Sequence, residues 1–271
     1  MPVSQPEAFE RFRALHNRPS AFMMPNAWDG ASALLLADAG FEALGSSSFA
    51  IALAMGRPDG ARAVSRDDAI ANAVLLARTT GLPINGDLED GYGLHPNDCV
   101  ATVEAAIAAG LAGLGIEDTT ADPENPIHPF DPAVARIRAA ARAAQGRILL
   151  TARADNFLNG IPDLDDTVRR LVAFAEAGAD VLYAPGLPTM DAVHAVIRAV
   201  APKPVNVLIG PGVPLATLEQ AGARRISLGS ALYRRAMGAL VDAAHALREG
   251  DIPAAIRGAT PGRDITALLP P

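Results

Sequence analysis

Residues 175–183 of this 271-residue chain read AEAGADVLY, in which the pattern of a helix changes, across an Ala-Gly pair, to that of a short apolar strand. The same junction recurs as ADAGFEAL (37–44), AAGLAGLGI (108–116) and EQAGARRISL (219–228). A glycine directly after a helix adopts the left-handed backbone conformation at little cost and often ends the helix. The repeat therefore predicts a chain of alternating helices and strands.

The spacing of the junction glycines indicates how many strand-helix units the chain contains. Gly110 lies 70 residues after Gly40 and 68 residues before Gly178, an interval of about two units in each case. Apolar runs predict eight strands, at 21–26, 41–47, 82–88, 111–118, 147–155, 179–185, 203–210 and 223–229. Helical patterns lie at 28–40, 66–80, 97–109, 131–145, 164–177, 189–200, 214–221 and 230–248. Eight units predict an α/β protein, a single (β/α)8 barrel domain over residues 1–271, and an open doubly wound sheet is the alternative.

Charge and composition narrow the class of partner. The chain has 23 Lys and Arg against 30 Asp and Glu, a net charge of −7, so it lacks the basic surface that nucleic acid or an anionic membrane requires. A small-molecule partner is expected instead. Cys99 is the single cysteine, which excludes an internal disulfide, and no stretch is apolar enough to predict an export signal or a membrane span. These features predict a cytoplasmic protein.

Carboxylates follow neighbouring predicted strands, at the end of the barrel where chemistry is expected. The segment INGDLEDGYG (84–93) places Asp87 and Glu89 at the end of the third strand, and Glu117 ends the fourth. Alternation along a strand puts Asp87 and Glu89 on one face with Leu88 pointing outward. Their mutual repulsion predicts a divalent cation, and oxygen-only ligands favour Mg2+ or Mn2+, bound directly by Asp87 and through water by Glu89 and Glu117. The alternative is a set of helix caps and solvated loop charges.

An arginine and a serine-rich turn follow two other strands. Arg153 in TARAD is expected to point into the barrel mouth, where its fork can bind a carboxylate or phosphate or pair internally with Glu117 or Asp155. The triple serine after Gly45 is either an anion-binding turn or a plain polar loop. The serines of this turn are Ser46, Ser47 and Ser48. The seventh predicted strand contributes a further polar residue, Asn206.

Taken in order, the motifs GSSSFA (45–50), GRPD (56–59), GDLEDGYG (86–93), GIED (115–118) and TARAD (151–155) resemble those of the isocitrate lyase and phosphoenolpyruvate mutase family. The resemblance covers nearly the whole chain. It implies a (β/α)8 barrel, a bound Mg2+, and a small 2-oxo or 2-hydroxy acid as substrate. It also implies a homodimer or homotetramer in which the last helix and tail, about residues 230–271, lie at the subunit interface, with that helix exchanged between protomers.

The resemblance also assigns residues by motif. Asp87 corresponds to the direct metal ligand, and Asp59, Glu89 and Glu117 correspond to the outer acids. Arg153 corresponds to the arginine beside the reacting oxygens, so Arg153, Glu117 and Asp59 are the candidate catalytic residues. The candidate substrate-binding residues are Ser46, Ser47, Ser48, Asp87, Arg153 and Asn206.

One segment departs from the better-known members. Those that cleave isocitrate or methylisocitrate carry a Lys/Arg-Cys-Gly-His loop after the fourth strand, whereas this chain reads EDTTADPENPIHPFD (117–131). His128 in that loop either moves protons near neutral pH or is a surface or hinge residue. Cys99 falls within a predicted helix and is expected to be buried and inert.

Carbon–carbon bond cleavage, by retro-aldol reaction or decarboxylation of an oxaloacetate-like or methylisocitrate-like acid, is therefore the predicted reaction, since it needs the metal and Arg153 but not the missing cysteine. A C–P bond mutase or hydrolase is one alternative. A non-catalytic 2-oxo acid binding protein is the other.

Overall fold

A computed structural model describes residues 3–210 and 213–269 of the chain. Its eight strands form one parallel sheet in the order β1-β8-β7-β6-β5-β4-β3-β2. A parallel bridge between Asn26 and Gly45 joins the first strand to the second, which closes the sheet into a barrel. The strands are β1 (Phe22–Met24), β2 (Leu44–Gly45), β3 (Ile84–Asp87), β4 (Gly113–Glu117), β5 (Leu149–Arg153), β6 (Val181–Tyr183), β7 (Val205–Leu208) and β8 (Arg225–Ser227). The predicted (β/α)8 barrel is confirmed and the open sheet was wrong, because β8 pairs with β1 and the Asn26–Gly45 bridge joins the two ends of the sheet.

The helices are α1 (Gln5–His16), α2 (Gly30–Asp38), α3 (Ser48–Ala54), α4 (Arg66–Thr80), α5 (Pro96–Ala108), α6 (Phe130–Ala144), α7 (Leu164–Glu176), α8 (Met190–Val200), α9 (Leu215–Gln220), α10 (Ala231–Arg248), α11 (Ile252–Ala255) and α12 (Gly262–Thr266). Helices α2 to α9 connect successive strands, whereas α1 precedes the first strand and α10 to α12 follow the last one. The eight predicted helices are all present, whereas α1, α3, α11 and α12 were not predicted. No described helix combines the length and apolar character that crossing a bilayer requires.

The junction glycines have the backbone conformation that the repeat predicted. Gly40, Gly110, Gly178 and Gly222 all have positive φ, between 88° and 110°. Each of these glycines follows a helix, and the chain then turns into the next strand. A residue with a Cβ would be strained there, so the Ala-Gly repeat is a direct consequence of the barrel connections.

Helix α1 covers the amino-terminal end of the barrel. Phe12 is fully buried, and its ring packs edge to face against His16 and Phe22. Gly113 at the start of β4 leaves room for it, because a Cβ there would lie 2.6 Å from the Phe12 ring. The helix forms an apolar cluster of its own with strand-start residues such as Leu149. It seals one end, so ligands must enter at the carboxyl ends of the strands.

Candidate active site

Two adjoining cavities, of about 400 and 350 Å3, lie at the carboxyl ends of the strands. Ser48, Asp59, Arg153 and Leu158 line both of them. The first cavity also reaches the acids at the ends of β3 and β4, and the second extends into the barrel interior. Every site residue predicted from the sequence lines at least one of the two cavities.

Arg153, the last residue of β5, lies at the centre of the acids. Its guanidinium is 3.0 Å from Asp87, 2.9 Å from Glu117 and 2.7 Å from Asp155. It also lies over the ring of Tyr183, 5.3 Å from the ring centre. Both the predicted internal ion pairs and the predicted placement in the mouth are therefore realised. The position of this guanidinium is fixed from several sides, which is what a group that must meet a reacting oxygen requires.

The serine turn between β2 and α3 fixes Asp87. The Ser46 hydroxyl accepts a hydrogen bond from the Asp87 backbone N–H at 2.8 Å, and the Ser48 backbone N–H donates to the Asp87 carboxylate at 2.9 Å. Ser47 caps α3, because its hydroxyl accepts the Ala50 backbone N–H at 3.4 Å. The turn therefore positions an acid, and its predicted role in binding a substrate carboxylate stays a prediction.

Asp87 and Glu89 both line the mouth, but they reach it differently. The strand ends at Asp87, and Glu89 lies in the following turn with a left-handed φ of 44°. Leu88 packs in the core outside the barrel, as the alternation predicted. Left-handed backbone is unusual for a non-glycine residue and marks a position held by its surroundings. Here the Glu89 carboxylate accepts the Arg62 backbone N–H at 3.1 Å.

Negative charge is in excess around this turn. Burial, together with Asp87, Asp59 and Asp90, raises the pKa of Glu89 to about 7, against the backbone hydrogen bond that lowers it. Partial removal from water and the charge of Asp87 raise the pKa of Asp59 above its ordinary value, although the residue as a whole stays exposed. Burial likewise raises the pKa of Glu117 well above its usual range, in spite of Arg153. The mouth thus holds more acid than Arg153 alone neutralises.

The donor set at the mouth fits a hard divalent cation. The side chains of Asp59, Asp87, Glu89 and Glu117 offer only oxygen donors, and burial together with neighbouring acids raises the pKa values of Asp59, Glu89 and Glu117. Among the described residues, no three His, Cys, Asp or Glu side chains are gathered in a ready-made metal cluster. Mg2+ usually takes only one or two carboxylates and keeps several waters, so such a cluster is not a requirement.

Two ion pairs adjoin these acids, one partly buried in the wall of the first cavity and one fully buried. Two nitrogens of the Arg62 guanidinium donate hydrogen bonds to the Asp90 carboxylate, and the shortest of these bonds is 2.6 Å long. Asp118 forms an ion pair with Arg170 at 3.0 Å. The Asp118 carboxylate also accepts the Asp155 backbone N–H at 2.9 Å. Sequence reasoning missed Arg62, because nothing in its loop indicates an acid 28 residues later in the chain as its partner.

The loop after β4, which the structure describes throughout, places only Thr119, Thr120 and Ala121 at the cavities. A short antiparallel bridge between Thr119 and Ile127 closes it. His128 is buried, and its backbone N–H donates to the Asp118 carbonyl at 2.7 Å. Burial and the nearby Arg136 lower the pKa of His128 to about 4, so it is neutral at physiological pH. A role for His128 in moving protons therefore has no support in the geometry.

Cys99 lies outside the site, as predicted. Its side chain is fully buried in α5, and burial raises the pKa of its thiol to about 11. A thiol that stays protonated and out of contact with solvent is a poor nucleophile or proton carrier. It does not replace the cysteine that is missing from the loop.

Asn206 in β7 lines the inner part of the second cavity. Its amide nitrogen donates to the Ser227 hydroxyl at 2.9 Å, and its amide oxygen accepts from Arg225 at 2.9 Å. Sequence reasoning did not single out Arg225 or Tyr183 as interacting groups. Their roles depend on which strands face each other across the barrel.

Comparisons with known proteins agree with this geometry. The family model for phosphoenolpyruvate phosphomutase matches residues 12–248. A crystal structure of a provisionally assigned lyase/mutase from Burkholderia cenocepacia is 44% identical, covers 97% of this chain and 95% of its own, and superposes with a TM-score of 0.92. An uncharacterised protein of Mycobacterium tuberculosis is 35% identical over 89% of this chain and 90% of its own length. The 2-methylisocitrate lyase of Bacillus subtilis is 30% identical over 68% of this chain and 62% of its own length.

Proposed function

This chain belongs to the isocitrate lyase and phosphoenolpyruvate mutase family of enzymes, and we propose that it is a Mg2+-dependent lyase that breaks a carbon–carbon bond in a small 2-oxo or 2-hydroxy carboxylic acid through an enolate. The placement of Arg153 carries the proposal. Its guanidinium is fixed by Asp87 and Glu117 at the point where both cavities meet. A fixed positive charge at such a point stabilises the negative charge that grows on an enolate oxygen.

The proposed Mg2+ ligands are Asp87 directly, with Asp59, Glu89 and Glu117 around the waters of the ion. Mn2+ suits the same oxygen donors. A bound divalent cation of this kind polarises a carbonyl oxygen and orients the acid that chelates it. Burial, and then the neighbouring acids, raise the pKa values of Asp59 and Glu89, and a cation among these carboxylates would offset both effects.

The protein's own groups supply the rest of the chemistry. Arg153 holds the 2-oxo oxygen and stabilises the enolate while the bond to the leaving carbon breaks. Tyr183, under the Arg153 guanidinium, shields that contact from water on one side. With an oxaloacetate-like acid, the products are carbon dioxide and a three-carbon enolate, which takes up one proton at carbon to give pyruvate.

The loop after β4 favours cleavage that needs no loop acid. Thr119, Thr120 and Ala121 are the loop residues at the cavity, and none of these residue types titrates near neutral pH. Decarboxylation requires no base to deprotonate a substrate alcohol, whereas a retro-aldol reaction does. A carboxylate of the mouth, such as Glu89, is the proposed base for a 2-hydroxy acid.

An assay of product release tests the proposal. The protein with Mg2+ is incubated with oxaloacetate, 2-methylisocitrate, 2,3-dimethylmalate or phosphonopyruvate, and pyruvate and phosphate are measured. Pyruvate without phosphate, at a rate that Asp87→Ala reduces by about 100-fold or more, supports a carbon–carbon lyase. Asp67→Ala is the matched control, because the Asp67 side chain on α4 is 89% exposed.

Three other results would contradict the proposal. Pyruvate with equimolar phosphate from phosphonopyruvate would indicate C–P hydrolysis, and conversion of phosphonopyruvate to phosphoenolpyruvate would indicate a mutase. Thermal stabilisation by 2-oxo acids without any product would indicate a non-catalytic binding protein.

We also propose a homodimer or homotetramer with α10 to α12 at the subunit interface. These helices carry exposed apolar side chains, including Leu240, Val241, Ile252 and Ile256, each more than half exposed. Exposed apolar surface on adjacent elements is typical of an interaction site. Sedimentation velocity of the 28.0 kDa chain at micromolar concentration checks it, and a monomer would contradict it.

Two further expectations from the sequence stay predictions, namely the single domain over residues 1–271 and the cytoplasmic location. The ends of that range, residues 1–2 and 270–271, lie outside the described residues, and so does the last part of the tail expected at the interface.

A further inference from the structure

Arg225 in β8 is a second arginine inside the barrel, and its surroundings differ from those of Arg153. Its side chain is 1% exposed. It donates to the amide oxygen of Asn206 at 2.9 Å and to the hydroxyl of Thr151 at 3.0 Å, and it lies 3.5 Å from the His16 ring nitrogen Nε2. All three acceptors are neutral, since burial and Arg225 itself lower the pKa of His16 to about 3. No carboxylate in the described part of the chain pairs with Arg225.

An unpaired buried charge of this kind is costly. The loss of water around a buried cation is offset in proteins by a nearby anion or by a complete set of hydrogen bonds, and Arg225 has only hydrogen bonds. Burial lowers the pKa of Arg225 to about 9, which still leaves it protonated at neutral pH. The interior of the barrel therefore carries a positive charge without a partner anion in the described residues.

Arg225 is also part of a cavity wall. The 350 Å3 cavity is lined by Arg225 together with Asp87, Arg153 and Tyr183. Thr151, which Arg225 contacts, precedes Arg153 by two residues on β5, so the two side chains share the inner face. Two residues along a strand correspond to about 7 Å, which is one layer of inward-pointing side chains. Because Arg225 contacts Thr151, it lies roughly one layer deeper in the barrel than Arg153.

The hydrogen bonds around Arg225 have a fixed direction. A guanidinium only donates, so the Asn206 oxygen and the Thr151 hydroxyl oxygen both act as acceptors towards it. The amide nitrogen of Asn206 is then turned away from Arg225, where it donates to Ser227 at 2.9 Å and keeps a second hydrogen. The Thr151 hydroxyl likewise keeps its proton for another acceptor. The inner end of the cavity consequently offers donors and a positive charge.

We propose that Arg225 makes the inner end of this cavity an anion subsite, which takes the second carboxylate of a short dicarboxylic substrate whose 2-oxo acid end lies at Asp87 and Arg153. This inference rests on the proposed function and adds the residue that recognises the distal end of the substrate. In a four-carbon dicarboxylate the two carboxyl carbons lie about 4 Å apart, and the outermost carboxylate oxygens about 6 Å apart, which is close to one layer of the barrel. Arg225 is a specificity-determining residue in this arrangement, because a monocarboxylate would leave its charge unpaired.

Binding of two acids that differ only in the distal group tests the subsite. Titration calorimetry of the Mg2+-loaded protein with malate and with lactate compares the same 2-hydroxy acid end with and without a second carboxylate. We expect wild-type protein to bind malate about 10- to 100-fold more tightly than lactate. Arg225→Met is expected to remove that preference and to leave lactate and oxalate affinities within about threefold, and Arg225→Lys to restore part of it.

The controls separate this inference from the proposed function. Arg224→Met is the matched control, because the neighbouring Arg224 bonds the Pro19 carbonyl and does not line the cavity. Oxalate is long enough to reach only the Asp87 and Arg153 end of the cavity. If wild-type protein with Mg2+ does not bind oxalate, the proposed function is wrong, whatever the result for Arg225. If wild-type protein binds malate no better than lactate, or if folded Arg225→Met keeps the full preference, the subsite is overturned. Even where Arg225→Met does not fold, a wild-type protein that binds malate no better than lactate overturns the subsite.

Discussion

Replacing His16 by glutamine tests the packing of the barrel's sealed end through its pH dependence. His16 is 6% exposed, donates through Nδ1 to the Phe12 carbonyl at 2.9 Å and faces Arg225 through Nε2. Burial and the positive charge of Arg225 lower its pKa from the ordinary 6.5 to about 3. His16→Gln keeps an acceptor for Arg225 but cannot take up a proton.

The sign and size of the effect follow from proton linkage. Between pH 6.5 and pH 3 the unfolded chain binds a proton at His16 and the folded chain does not, so lowering the pH favours unfolding. The resulting loss of stability is about 0.2 kcal/mol at pH 7 and about 2 kcal/mol at pH 5. His16→Gln removes this loss, although its poorer packing against Phe12 and Phe22 costs about 1 kcal/mol at every pH.

Urea unfolding of both proteins at pH 7, 6 and 5 measures the effect. The difference in unfolding free energy between wild type and His16→Gln is expected to shift by about 2 kcal/mol in favour of the variant from pH 7 to pH 5. Acids such as Glu89, whose pKa is raised to about 7, stabilise the folded protein as the pH falls. This contribution is the same in both proteins, so it cancels when their unfolding free energies are subtracted. His245→Gln, at an exposed position on α10, is the control. Parallel curves for wild type and His16→Gln would show that the folded protein protonates His16 freely, and the account of the sealed end would be wrong.

The remaining predictions concern the site and the sealed end. Arg153→Met is expected to lower the free energy of unfolding by about 3–5 kcal/mol, because it leaves three largely buried acids without their cation, and to abolish turnover. Thermal unfolding and the pyruvate assay measure these two effects. An unchanged melting temperature would refute the prediction. Gly113→Ala places a Cβ 2.6 Å from the Phe12 ring and is expected to cost about 1–3 kcal/mol, whereas Gly262→Ala, with no atom within 4 Å, is expected to be neutral or slightly stabilising in the same unfolding experiment. Equal stability of the two glycine variants would contradict the packing of Phe12 against β4. Chelation of divalent cations is expected to abolish product release without loss of circular dichroism, and readdition of Mg2+ or Mn2+ to restore it; activity that persists in excess chelator would rule out the metal assignment.

Much of the fold could be predicted because its signals are local. The Ala-Gly junction at positions such as Gly110 and Gly178 reflects a backbone conformation that only a few residues around it determine. Eight repetitions of one unit then leave few ways to arrange a parallel sheet. Helix α1 was missed, because its polar outer residues resemble a solvated segment, and its buried side, including Phe12, is recognisable only once the open end of the barrel is known.

The candidate site was predictable to the extent that it depends on strand ends. Asp87, Glu117 and Arg153 lie where the sequence placed them, because the carboxyl ends of parallel strands meet at one edge of the barrel. Glu89 joins them through a left-handed turn that strand alternation did not anticipate.

The amino-acid sequence by itself determined the barrel, the position of its mouth and the residue types gathered there, since each depends on short-range pattern and on the direction of parallel strands. Only the tertiary structure decided which partners those residues have. Arg153 is surrounded by three acids, whereas Arg225, one layer deeper, meets only neutral groups from β5, β7 and α1. The physical reason is that a charge acts on whatever lies within a few ångströms, and closing the barrel brings together residues that are up to 209 positions apart in the chain.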